Sequence, residues 1–147
     1  MTPIYRMIHI DNLPLLLEWG GDHASNRCHE QGLAKRPIHH ENIMDRRQDR
    51  EVTCGPGGTL ADYVPFYFRT RTPMLYSIYR GNVAGCQNES EIVILRSYAE
   101  RVQQAGLGFV FTNGHAVIAY TQFFDDLNQL SSLPWQAIRA RYWNDIF

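Results

Sequence analysis

Residues 57–76, GGTLADYVPFYFRTRTPMLY, join a glycine turn, an aromatic run, two arginines and a helix start without a break. Gly57 and Gly58 permit backbone angles closed to other residues and let a ligand approach the main chain. Val64, Phe66 and Phe68 alternate with Tyr63, Pro65 and Tyr67, and this period of two predicts a strand with distinguishable faces. Pro65 cannot donate to a ladder, so the strand belongs at an edge or starts irregularly, with Phe66 and Phe68 in the core. Thr72-Pro73 opens a helix with an N-cap residue and a proline at the first position, and Gly81 stops it after Arg80. Arg69 and Arg71 beside that helix start, with exposed aromatics nearby, suit a phosphate-bearing, stackable ligand.

Outward from this stretch, Ile4–Ile10 reads as a strand, and Asp11 or Asn12 caps a helix through Trp19 that ends at Gly20-Gly21. Residues 22–42 are polar, carry His23, His29, His39 and His40, and have few apolar anchors. So long a connection points to a functional loop or lid. A short helical turn near Ile43–Arg47 precedes the glycines. Residues 82–90 read as a loop, and Ile92–Leu95 is a continuous apolar run of the buried-strand kind. Ser97 with Glu100 predicts a capping box and a helix to Ala105. Phe109–Thr112 is the next strand, and Asn113-Gly114 turns into a helix from His115 to about Phe124, with Asp125 and Asp126 as its solvated end. Ser132 caps a last helix with Trp135, Ile138 and Tyr142 on one face. Short strands intermixed with helices predict one compact α+β domain over residues 1–147 rather than a doubly wound sheet.

A chain of 147 residues with 44% hydrophobic content is long enough for one folded domain with a real core. Its longest apolar runs, LPLLL and EIVIL, fall far short of the roughly 20 residues that span a bilayer. The N-terminus lacks a signal-peptide pattern, so a cytoplasmic protein with no membrane partner is expected. Three cysteines, Cys28, Cys54 and Cys86, show no CxxC spacing and fit a reducing compartment. The net charge is −1, yet all 14 cations except Lys35 are arginine. Arginine's planar fork pairs bidentately with phosphate and stacks on bases, although a GC-rich genome produces the same bias.

Several residues have both a chemical and a structural reading. His9 and Asn12 could present two polar groups to one ligand edge, or could be a strand-end histidine and a helix cap. Arg46, Arg47 and Arg50 form the densest cationic cluster, and taken by themselves with Asp45, Asp49 and Glu51 they read first as a solvated helix face. Cys28-His29, His39-His40 and His115 have ligand types that suit zinc, but no finger or metalloprotease spacing, so no metal is expected. GPGG lacks the lysine and hydroxyl residue of a P-loop, and neither GxGxxG nor Gly-x-Ser-x-Gly is present.

The run at 57–76 resembles the hallmark block of the DarT family, DNA ADP-ribosyltransferase toxins of bacterial toxin-antitoxin pairs. Three further segments agree in order and spacing: IYRMIHIDNLPLLLEWGG at 4–21, NIMDRRQDREV at 42–52, and EIVIL at 91–95 followed by FVFTNGHA at 109–116. The resemblance runs over nearly the whole chain. It implies an ADP-ribosyltransferase-like α+β domain with short mixed or antiparallel strands and peripheral helices. The family's catalytic glutamate lies beyond the tryptophan-containing helix, and the chain ends at Phe147 where that segment would begin. The expectation is therefore a C-terminally truncated domain.

The resemblance implies NAD as ADP-ribose donor, without a metal, and thymine in single-stranded DNA as acceptor. It assigns the donor to His9 and Asn12 with Ile8 and Ile10 beside them, to Gly20, and to Arg47. Arg47 is the implied catalytic arginine, with Arg46 as the alternative. Such an arginine stabilises a deprotonated base more readily than it carries the proton, because its own pKa is above 12. Arg69, Arg71, Thr72, Pro73 and Met74 are implied to contact single-stranded DNA, and a DarG-like macrodomain antitoxin is the implied partner. The rival reading is a catalytically inert fragment that binds NAD or DNA.

Overall fold

Strand β1 (Pro3–His9) runs antiparallel to β2 (Ile92–Tyr98), in register from Pro3 opposite Tyr98 to His9 opposite Ile92. The computed structural model describes residues 1–36, 41–81 and 88–141; Tyr142, Cys86 and the His39-His40 pair lie outside them. Ile4, Met7, Ile8 and His9 of β1 are all buried, so both faces of this strand are covered. Strand β2 is only half-buried, and Ile94 is 38% exposed. The apolar run Ile92–Leu95 is therefore a half-exposed strand and not the buried one expected.

The other edge of β1 receives the aromatic run at a single point. Tyr5 and Tyr67 exchange two backbone hydrogen bonds of 2.8 Å, and no ladder continues from them. The strand expected at Tyr63–Phe68 is thus one bridge in extended chain, since a 3-10 turn at Leu60–Asp62 and then Pro65 interrupt the donors that a ladder needs. Phe66 is 40% exposed, against its expected place in the core. Phe68 does pack inward, edge-on to Phe111 and Trp135 at 6.4 and 5.3 Å.

Helix α1 (Leu13–Trp19) follows a 3-10 turn at Ile10–Asn12 whose cap is His9, its Nδ1 accepting the Asp11 N–H at 3.0 Å. Asn12 makes no capping bond. Gly20, at φ 74°, closes α1, and the Gly21 N–H reaches Leu16 O at 2.9 Å. The polar stretch 22–42 contains α2 (Ser25–Glu30), and α3 (Glu41–Asp49) is longer than the turn expected there. Helix α4 (Pro73–Tyr79) starts as read, with Thr72 Oγ1 accepting the Leu75 N–H at 3.2 Å; its Ile78 is fully buried against Met74 and Ile92.

The second half departs more from expectation. Ser97 belongs to β2, so no capping box opens α5 (Ala99–Gln104); Glu100 instead accepts the Thr2 N–H at 2.8 Å and the Thr2 hydroxyl at 2.9 Å. In place of a helix over His115–Phe124, β3 (Phe111–Thr112) pairs antiparallel with β4 (Phe123–Phe124). Long-range contacts override the helical pattern: Arg50 donates to Ala116 O and Thr121 O, and its guanidinium lies 5.2 Å from the Phe123 ring centre. Asp125 is exposed as expected but ends no helix; it follows β4 and accepts the Gly55 N–H at 2.9 Å. Ser132 lies inside a 3-10 segment, Leu127–Ser132, and Pro134 precedes α6 (Trp135–Arg139).

A charged bridge ties β1 to the chain after α1. Asp22 accepts from Arg6 Nε at 2.8 Å and Lys35 Nζ at 2.6 Å, with all three side chains at most 20% exposed. Burial pushes the Asp22 carboxyl up, but Arg6 and Lys35 together outweigh it and hold the pKa below its ordinary value of 3.8. A depressed folded-state pKa adds stability that is present above the unfolded value and lost as pH falls through the folded one. Asp22→Asn is expected to lower the unfolding free energy at pH 7 by about 1.5 to 3 kcal/mol, the scale of charge-assisted hydrogen bonds. In urea titrations that deficit should shrink below about pH 4; a deficit independent of pH would exclude the charge as its cause.

Candidate active site

A cleft of about 1490 Å³ opens between the end of α1, the glycine turn, the aromatic run and the β3–β4 ribbon. Its near wall is a tight loop. The Val52 N–H donates to Gly58 O at 2.9 Å and the Leu60 N–H to Arg50 O at 3.0 Å, which brings Glu51 opposite Thr59. Gly58 has φ 73°, and a Cβ there would lie 2.5 Å from Asp62 Oδ2. The position therefore excludes side chains twice over, by backbone angle and by space. Asp62 closes the loop by accepting from the Thr59 N–H at 2.9 Å and from Asn26 Nδ2 at 2.7 Å. Those bonds hold its carboxyl below the ordinary carboxylate range.

Arg47 reaches from α3 into this wall and donates through Nη2 to Leu60 O at 2.8 Å and Tyr63 O at 3.3 Å. Burial pulls its pKa down; the Tyr67 phenol works against that and the Arg6 charge adds to it. Tyr67 feels the reverse: burial raises its pKa, and Arg47 and Arg6 partly oppose the rise. Tyr67 is 36% exposed because it lines the open cleft, while its phenol stands among these cations. Between the cleft-lining Gly114 and Ala116, partial burial and then the charges of Arg46 and Arg47 hold the His115 imidazole below its ordinary pKa, so it is neutral at pH 7.

The expected site residues divide into two groups. Gly20, Arg47, Arg69, Thr72 and Pro73 all line the cleft. His9, Asn12, Ile8, Ile10, Arg46, Arg71 and Met74 do not. His9 is 2% exposed, with Nε2 2.7 Å from Glu91 Oε2 and Nδ1 occupied by the Asp11 N–H. Asn12 is 4% exposed and brackets the main chain of Arg36, accepting its N–H and donating to its carbonyl, both at 2.7 Å. Arg69 Nη1 donates to Ile138 O and Ala140 O at the end of α6, and Thr72 is buried with its hydroxyl on Met7 Sδ. Arg46, Arg71 and Pro73 are exposed.

Two acidic residues line the cleft, Asp22 and Asp62, and both are already engaged by donors. Among the described residues no cluster of histidine, cysteine and acidic side chains could hold a metal ion. The Arg6–Asp22–Lys35 bridge, whose Asp22 lines the cleft, was missed from the sequence. Its available signal was Arg6, a cation sharing a strand face with Ile4 and Ile8.

The family model described as "ssDNA thymidine ADP-ribosyltransferase, DarT" matches residues 5–146. The DNA ADP-ribosyl transferase of Thermus sp. (strain 2.9) is 44% identical over 144 residues, which is 98% of this chain and 68% of that protein. Its counterpart in Escherichia coli O127:H6 is 39% identical over 140 residues, or 94% and 63% of the two chains. The chain thus spans roughly two thirds of the length of these relatives. Thermus sp. 2.9 DarT in complex with ADP-ribosylated ssDNA superposes with a TM-score of 0.90 at 45% identity, covering 97% of this chain and 66% of that one. The same protein in complex with NAD+ gives 0.83 at 42% identity, with the same coverage. The α+β ADP-ribosyltransferase fold expected from the sequence is borne out by these superpositions, and the chain belongs to the DarT family of single-stranded DNA thymidine ADP-ribosyltransferases.

Proposed function

We propose that this chain binds NAD+ in the cleft and directs its ADP-ribose to a thymine of single-stranded DNA. The observation that carries the reading is Arg47, a guanidinium fixed by two carbonyls in the wall of a cleft that Gly20, Tyr67 and Arg69 also line. In the reaction the bond between ribose C1′ and nicotinamide breaks, its electron pair leaves with nicotinamide, and the ribose carbon passes through an oxocarbenium-like state. Thymidine has one ring N–H; its proton passes to solvent water and the nitrogen forms the new bond to C1′. Although burial lowers its pKa, Arg47 stays charged at neutral pH, so it stabilises the deprotonated base and the donor phosphates by charge and does not take the proton.

Arg46, exposed on α3 beside Arg47, is the alternative for this role. His9 and Asn12, with Ile8 and Ile10 beside them, are assigned to the donor side of the proposed site. His9 and Asn12 lie outside the cleft lining, buried and engaged by Glu91 and Arg36, so donor contact there requires those bonds to be exchanged. Arg69, Arg71, Thr72, Pro73 and Met74 form its DNA side, with Arg71 as an exposed phosphate contact. A bacterial toxin role, with a DarG-like macrodomain antitoxin as partner, completes the proposal. No helix among the described residues is long and apolar enough to cross a membrane.

Titration calorimetry should detect NAD+ binding, weakened by about 1 to 3 kcal/mol in His9→Ala or Asn12→Ala, the usual loss when a buried polar partner is removed. Parent-like affinity in both variants would take those residues out of the donor site. Mass spectrometry of a thymine-containing oligonucleotide incubated with NAD+ and the protein should reveal a gain of one ADP-ribose, absent from a thymine-free control. Arg47→Ala should slow that gain by about 100- to 1,000-fold, the scale for losing one preorganised charge contact. Binding of NAD+ and DNA without any transfer would instead support the inert-fragment reading for this chain.

A further inference from the structure

Helix α4 starts at the cleft wall with Thr72 and Pro73 and carries an aromatic face that nothing in the donor site uses. Its inner side is settled by Ile78, fully buried against Met74 and Ile92. Its outer side presents Tyr76 and Tyr79, 57% and 63% exposed, with ring centres 6.5 Å apart and planes inclined by 34°. Residues three apart on a helix share a face, so the two rings form one surface and not two isolated aromatics. At 1.5 Å per residue, Tyr79 lies roughly 9 Å beyond Pro73 along the axis. Tyrosines this exposed gain little from burial within the protein, and α4 is too short for its propensity to need them.

The charges around this face identify what would cover it. Arg71 precedes the helix and Arg80 follows it, both exposed, and α4 has no acidic residue in its first turn. The acidic residues nearest in the packing are those of the 3-10 turn Glu89–Glu91, which adjoins the Ile92 side, and Glu91 is engaged by His9. Two aromatic faces bracketed by two arginines are the chemistry of a single-stranded nucleic-acid platform: bases stack on the rings and the guanidinium groups take the phosphates.

We propose that Tyr76 and Tyr79 form a base-stacking platform that holds nucleotides flanking the target thymine as single-stranded DNA leaves the cleft along α4. The inference rests on the proposed function and extends it, because it sets how much DNA the protein grips beyond the reacting base. Stacking is tolerant of base identity, so the platform adds affinity and length dependence without adding a sequence motif.

The test measures fluorescence anisotropy of labelled thymine-containing oligonucleotides of increasing length against the parent chain, a Tyr76→Ala/Tyr79→Ala double variant, the matching double phenylalanine variant, and Arg80→Ala. The double alanine variant should bind the longer oligonucleotides at least about 5- to 100-fold more weakly, the usual worth of a single stacked base. It should keep parent-like NAD+ affinity and an unchanged salt slope. The phenylalanine variant should bind as the parent does, since it keeps both rings. Arg80→Ala should flatten the salt dependence by about one charge. Parent-like DNA affinity in the alanine variant overturns the proposal, as does an equal loss in the phenylalanine variant. A change in oligomeric state with DNA binding intact would assign the face to a second copy and also overturn it. If the parent binds no single-stranded DNA, the functional reading itself falls; if the parent binds and the alanine variant binds equally, only the platform does.

Discussion

The pairing of β1 on both edges is the constraint on which the rest of the structure depends. Seven residues of β1 are held by β2, and the opposite edge is held by Tyr67 through its two 2.8 Å bonds to Tyr5. This single bridge hangs the aromatic run beside the strand that carries Arg6 and His9. Because the bridge does not extend into a ladder, the residues on either side of Tyr67 can diverge, and a cleft opens where a continuous sheet would have closed it. Pro65 and the 3-10 turn before it are thus as important to the site as the aromatic residues themselves.

Around that opening, cations outnumber the carboxylates free to answer them. Arg6 and Lys35 share Asp22, Arg47 rests on main-chain carbonyls, and Asp62 is consumed by the glycine loop. An environment of this kind lowers the cost of bringing a pyrophosphate or a deprotonated base into a partly dry cleft. Its cations add to partial burial in keeping His115 neutral, and they pull against the raised pKa of Tyr67. The same residues that hold the chain together set this field, since Arg6 with Asp22 joins β1 to the end of α1, and Asn12 fastens residue 36.

Much of the architecture was legible in local chemistry. The strand at the start of the chain, the helix closed by Gly20, and the helix opened by Thr72-Pro73 follow from periodicity, a left-handed glycine and a hydroxyl cap. These signals act within one or two turns of chain and need no distant partner. Family membership was legible too, in four segments whose order and spacing local propensity does not dictate. Where local signals were ambiguous they misled: Ser97 with Glu100 has the spacing of a capping box, yet Ser97 completes the register of β2 and Glu100 turns to Thr2.

What only the tertiary structure decided has a common cause, which is contact across long sequence separations. Arg50 converts an apparent helix at His115–Phe124 into a ribbon by binding carbonyls 66 and 71 residues away, and Asp125, still exposed, accepts from Gly55, 70 residues back. Asn12 was readable as a cap or a ligand group, and only the arrival of Arg36 engages its carboxamide on a main chain 24 residues distant. The sequence by itself determined the residue types of the site, because arginines, glycines and alternating aromatics keep their chemistry in any fold. Which of them meet in the cleft was left to the folded chain, since a side chain's partner depends on segments that local pattern cannot bring together.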